Sequence, residues 1–125
     1  MLYIYIPTYL QRVISVCVVP GEPRRVRLDV INSTAVNVQW VSPNEKDQNG
    51  LIRGYQVHYI KVSESDDPLG SPGMIDTMDG TALEYVVGNL LPESSYRFQV
   101  AAYTRRGDGV RSRPRKVKTK GAGMF

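Results

Sequence analysis

Cysteine is almost missing from this chain of 125 residues: Cys17 stands alone. With no second thiol there is no intrachain disulfide, so the fold must be held by apolar burial rather than covalent staples. Histidine is as scarce. His58 is the sole imidazole, which leaves too few soft ligands for a structural zinc site, and neither a metal nor another cofactor is expected. The same scarcity argues against an enzyme. A serine or cysteine nucleophile needs a base within reach, and no triad signature surrounds His58. Neither a G-x-x-x-x-G-K-[ST] loop nor a strand-to-helix G-x-G-x-x-G occurs. The adjacent carboxylates Asp66 and Asp67 sit in an acidic, turn-rich stretch, where they read as solvated charge. No catalytic residue is assigned.

Long apolar runs are also lacking. Met1 to Val19 is mostly apolar, but Gln11 and Arg12 interrupt it, and a membrane helix needs roughly 18–20 uninterrupted residues. As a signal peptide it is poor, because no base precedes the apolar stretch and Ser15-Val16-Cys17 is a weak cleavage site. Residues 1–20 are therefore expected to form a poorly structured extension. Basic residues are absent from more than a quarter of the chain. Residues 62–96 hold seven acids and no base, whereas 97–125 hold nine bases and only Asp108, giving −7 and +8 beside +3 for residues 1–61. Such asymmetry bears on surfaces and partners more than on fold.

What is present is a period of two. Val26, Leu28 and Val30 alternate with polar residues, and after the turn at Asn32-Ser33 so do Val36, Val38 and Trp40. A loop at Ser42 to Gly50 leads to a third strand with Tyr55, Val57 and Tyr59 on one face. Met74 to Met78 reads as a brief edge strand. Tyr85 and Val87 form a further inward pair, then Tyr96, Phe98, Val100 and Ala102 follow, and Val110 to Thr119 is expected as the final strand. No helical stripe is sustained. Six or seven short strands with turns between them imply an antiparallel β-sandwich.

Several stretches together resemble the fibronectin type III domain: Pro23, Trp40 followed by Pro43, Gly54-Tyr55-x-Val57-x-Tyr59, and Leu90-x-Pro92-x-Ser94-x-Tyr96. The resemblance implies an all-β, immunoglobulin-like, seven-stranded antiparallel sandwich over residues 21–119, with 120–125 as tail or linker. It places the first, second and fifth strands in one sheet, the others in the second, and Trp40 between them. Leu90, Pro92 and Tyr96 would form a tyrosine corner, the phenol bonding to backbone just upstream. Within the family, Ile52 to Val57, Val100 to Thr104, Gly107-Asp108-Gly109 and Arg111-Ser112-x-Pro114 are similar to ectodomain repeats of LAR-type receptor protein tyrosine phosphatases, and related neural adhesion receptors carry similar repeats. That likeness implies one repeat of a longer single-pass receptor, with neighbouring repeats as covalent partners. The phosphatase's own His-Cys-x5-Arg loop has no counterpart here, since Val16 precedes Cys17 and Pro23 stands at the arginine position.

Three features are candidates for binding chemistry. Arg106-Gly107-Asp108 spells the integrin tripeptide, but a short hairpin whose glycines serve the backbone disfavours integrin as a partner. Arg105, Arg106, Arg111, Arg113 and Arg115 form the second candidate, with the last three on one parity of the final strand and Lys116, Lys118 and Lys120 on the other. Positive charge on an edge strand protects against sheet-to-sheet aggregation. The sharper reading is a site for sulfated glycosaminoglycan or an extracellular acidic protein. Nucleic acid is not expected, because the aromatics align with the core and do not interleave with the bases. The acidic stretch offers another use for these charges, as partners of a neighbouring repeat. Third, Asn32-Ser33-Thr34 is an N-glycosylation sequon at an exposed turn. The expected function is a non-catalytic interaction or spacing module outside the cell.

Overall fold

The computed structural model describes residues 18–122. Expectations for the apolar stretch up to Cys17, and for residues 123–125, lie outside the described residues. Among the described residues eight strands occur, in the order β1 Arg24–Asn32, β2 Ala35–Val41, β3 Gly54–Val62, β4 Gly73–Asp76, β5 Glu84–Val87, β6 Ser95–Thr104, β7 Gly107–Asp108 and β8 Arg115–Lys118. A 3-10 turn, Glu45–Asp47, interrupts the loop after β2. Among the described residues no helix is long and apolar enough to cross a membrane.

Two antiparallel sheets form, one ordered β1-β2-β5 and the other β4-β3-β6-β7, with β8 also paired to β6. This is the strand partition that the family resemblance implies. Alternation along each strand decides which side chains meet. Val36, Val38 and Trp40 of β2 are buried against Tyr55 and Val57 of β3 and Tyr96, Phe98 and Val100 of β6. Trp40 is only 3% exposed, its ring centre 5.2 Å from that of Tyr55. Burying each such side chain contributes about 1.5–3 kcal/mol.

The crossover from β5 to β6 is pinned at three points. The Tyr96 hydroxyl accepts the Leu91 N–H at 2.8 Å, Leu90 is buried with its N–H donating to the Thr34 carbonyl, and Thr119 donates its hydroxyl to the Leu91 carbonyl at 2.7 Å. Pro92 turns the chain between them. This is the tyrosine corner expected from Leu90, Pro92 and Tyr96.

Two strand expectations need correction. Tyr85, expected as an inward residue with Val87, does share the inner face with its cross-strand partner Val38 but is 38% exposed, because β5 is short and pairs only with β2, leaving the ring at an open edge. The final strand is not continuous over Val110 to Thr119. Only β8, Arg115–Lys118, falls within that span, the two-residue β7 coming before it; Pro114 has no N–H to give a ladder, and Ser112 bridges the gap between β7 and β8. The Ser112 N–H donates to the Val100 carbonyl, and the Ser112 hydroxyl accepts the Val100 N–H at 2.9 Å in place of a backbone carbonyl.

The chain joins the sandwich just before β1. Pro20 is buried, and its carbonyl accepts the Val110 N–H. Gly109 makes that approach feasible. A Cβ at this position would stand 2.6 Å from the Pro20 oxygen and 2.7 Å from the Ala102 oxygen, so the second glycine of the Gly-x-Gly turn is required by crowding.

A four-arginine seam as the candidate functional site

The five arginines singled out from the sequence do not converge. Arg105 and Arg106 form the exposed two-residue tip between β6 and β7. Gly107 is paired with Thr104, and Asp108 is paired with Tyr103 while its carboxylate accepts the Gln56 side-chain amide at 3.1 Å. Asp108 therefore lies against the sheet, and the tripeptide is not splayed from a projecting tip.

Arg111 goes to a second place, the outer face of the larger sheet. There it lines a groove of about 240 Å³ with His58, Ile60, Met74, Arg97 and Gln99. The His58 imidazole is 3.1 Å from the Gln56 side-chain oxygen. Burial lowers the His58 pKa from its ordinary 6.5, Arg111 lowers it further and Asp108 opposes them. On the same face the Tyr103 hydroxyl donates to Asp76 at 2.6 Å, and that carboxylate pushes the phenol up to about 12. Gly54 makes room for the phenol, for a Cβ there would lie 2.7 Å from the Tyr103 Cζ. Lys116 pairs with Asp66 at 2.8 Å, and this contact holds the Asp66 carboxyl below its usual range. Part of the acidic stretch thus meets the basic strand within one domain.

Arg113 and Arg115 occupy a third place, the seam where β8 runs beside the start of β1. They line an open concavity of about 280 Å³ with Glu22, Arg24, Arg25 and Ser112. Sequence reasoning missed Arg24 and Arg25, since consecutive strand residues point to opposite faces. A β-bulge changes that. Arg24 pairs with Val41 and Arg27 with Gln39, so Arg25 and Val26 together oppose one residue. Arg25 takes φ 51°, a left-handed conformation that costs a non-glycine residue about 1–2 kcal/mol. Both arginines then line one groove. The tandem pair just after Pro23 was the available signal.

Two of the four guanidinium groups are anchored. Arg24 Nε donates to the Ser42 carbonyl at 3.0 Å and Arg115 Nε to the Val26 carbonyl at 3.1 Å. Among the described residues none of the four arginines makes an ion pair, Glu22 included. The seam can therefore offer fixed, uncompensated guanidinium groups to an anion. No group of three His, Cys, Asp or Glu side chains among the described residues is placed to hold a metal.

The sequon residue Asn32 is exposed at the β1–β2 turn. Its side-chain oxygen accepts both the N–H and the hydroxyl of Thr34, at 2.9 and 3.2 Å.

Comparison with known proteins agrees with this geometry. The family model described as "Fibronectin type III domain" matches residues 21–118. Mouse receptor-type tyrosine-protein phosphatase F (Mus musculus) is 47% identical over 102 residues, covering 82% of this chain and 5% of the receptor. Tyrosine-protein phosphatase Lar of Drosophila melanogaster is 45% identical over 104 residues, with the same two coverages. The chain thus spans only a twentieth of the length of these relatives. The crystal structure of the FN5 domain of Drosophila Lar superposes with a TM-score of 0.67 at 40% identity, covering 83% of this chain and 100% of that one. The chain belongs to the fibronectin type III family, as a non-catalytic repeat matching those of LAR-type receptor tyrosine phosphatases.

Proposed function

We propose that this chain is an extracellular interaction or spacing repeat in the ectodomain of a cell-surface adhesion receptor of the receptor-type tyrosine phosphatase class. The likeness over the whole sandwich to repeats of such receptors carries this reading. The exposed Asn32 sequon agrees with it, because an accessible turn is where the secretory pathway attaches a glycan. Neighbouring repeats are the covalent partners of such a module, and a sandwich with a buried aromatic core suits the transmission of spacing.

The test is cell-surface labelling with an antibody against this repeat. Unpermeabilised cells that express the parent gene should be stained, and the protein should lose mass on glycosidase treatment unless Asn32→Gln is present. Staining that requires permeabilisation, with no glycan at Asn32, contradicts the extracellular assignment.

A further inference from the structure

We propose that Asn49 is a site of spontaneous deamidation, and that its conversion to aspartate or isoaspartate unlatches the segment leading into β1. Of the five asparagines, Asn32, Asn37, Asn44, Asn49 and Asn89, only Asn49 is followed by glycine. The chemistry requires the backbone nitrogen of the next residue to reach the side-chain carbonyl carbon, and a residue without Cβ leaves that nitrogen uncovered. Gly50 is exposed, and its N–H makes no hydrogen bond among the described residues. Both residues lie in the loop between the 3-10 turn and β3, with Asn49 at φ 54° and Gly50 at φ 133°. No strand pairing has to break for the ring to close.

Water is the only co-reactant. The Gly50 nitrogen gives its proton to hydroxide and attacks the Asn49 Cγ; a C–N bond forms, the Cγ–Nδ2 bond breaks, and ammonia leaves with a proton taken from water, which regenerates the hydroxide. Water then adds to either carbonyl of the five-membered imide, giving aspartate by one opening and isoaspartate by the other. Nothing is oxidised or reduced. Arg105 and Arg106 line one open concavity of about 180 Å³ with Asn49 and Gly50, and their charge favours both the anionic nitrogen and the carboxylate that results.

The consequence follows from what the amide holds. Asn49 Nδ2 donates to the Val19 carbonyl at 3.0 Å and to the Asp47 carbonyl at 3.2 Å. Beside it the Gly21 N–H donates to the Asp47 carbonyl at 2.7 Å and the Val110 N–H to the Pro20 carbonyl at 3.0 Å, so residues 19–21 are tied to the loops on both sides. An ionised carboxylate only accepts. The product therefore sets oxygen against oxygen and loses both bonds, and isoaspartate also inserts a methylene into the main chain. The modified chain holds its entry into the sandwich less firmly; the bearing of this on spacing between repeats rests on the function proposed above.

The experiment ages the folded full chain at mildly alkaline pH, separates the fraction with one added negative charge by ion exchange, and maps it by mass spectrometry. Asn49 should convert at least about tenfold faster than Asn32 or Asn89, part of the product should be a substrate for an isoaspartyl methyltransferase, and Asn49→Gln should not yield it. Amide hydrogen exchange is then compared between the separated product and the unmodified chain. Gly21 and Val110 should exchange about tenfold or more faster in the product, while Val38 and Val57 in the core keep their protection. Because the product is made from the native chain, no variant has to fold for this comparison. Conversion at Asn49 no faster than at Asn32, the same product from Asn49→Gln, unchanged exchange at Gly21 and Val110, or equal acceleration in the core would overturn the proposal. All of this is measured on the isolated chain, so a failure here leaves the surface-labelling result untouched, and the reverse also holds.

Discussion

Tyr96 does two things at once: its ring fills the core against Phe98, 6.4 Å between centres, and its hydroxyl satisfies the Leu91 N–H. Tyr96→Phe keeps the first and loses the second. It should cost about 1–2 kcal/mol in chemical denaturation, while Tyr96→Ala, which also opens a cavity, should cost about 3–5 kcal/mol. Tyr103 offers a spectroscopic counterpart. Its folded pKa of about 12 lies above the unfolded 10.0, so its contribution to stability is complete below pH 10 and is lost as the pH rises from there through the folded value. Asp76→Asn should return the phenol toward 10.0 in an ultraviolet titration, and Gly54→Ala should do the same by displacing the ring. His58 has the opposite sign. Its folded pKa is depressed, so the unfolded chain binds the proton more tightly; the contribution is whole above pH 6.5 and declines as the pH falls below it. Arg111→Gln should raise the His58 pKa in an NMR titration, and an unmoved resonance would show that the arginine does not act on it.

At the scale of the strand, what was legible depended on whether the cause was local. Val36, Val38 and Trp40 announce β2 because alternation is written into neighbouring residues, and the spacing of Leu90, Pro92 and Tyr96 likewise marks one corner. The exposure of Tyr85 was not legible, since it follows from β5 having a partner on one side only. Nor was the bulge at Arg25, which is a matter of register between two strands. The candidate site was accordingly half readable. Arg113 and Arg115 stood out by their parity, Arg24 and Arg25 were hidden by the expectation of alternation, and Arg111 was drawn to another face by the break around Pro114. The turn between β6 and β8 gives a prediction at this scale. Gly109→Ala forces a methyl against the Pro20 and Ala102 oxygens; it should lower stability by about 2 kcal/mol or more and expose the Pro20 segment to proteolysis. Unchanged stability and protease resistance would mean that the segment before β1 does not pack there.

Across the whole molecule the charge is organised rather than diffuse. The acidic middle of the chain gives up Asp66 to Lys116, while the arginines at the β1–β8 seam have no ion-pair partner among the described residues, so a net charge of only +4 conceals a basic edge. That edge depends on the two sheets being closed, because β1 and β8 belong to different sheets and meet only when the sandwich is packed. Closure itself depends on the core around Trp40, whose indole N–H is buried without a hydrogen-bond partner among the described residues, an arrangement that costs about 1–3 kcal/mol and is carried by packing. Trp40→Phe removes that N–H together with part of the ring, and should cost less than Trp40→Ala by about 2 kcal/mol.

Because the chain has one tryptophan, its fluorescence reports this core without interference. The most direct measurement is Trp40 emission and iodide quenching on the full chain, followed through denaturation beside far-ultraviolet circular dichroism. A closed sandwich predicts blue-shifted, poorly quenched emission that reddens in one transition together with the loss of β signal. Emission of a water-exposed, freely quenched indole in native buffer would contradict it.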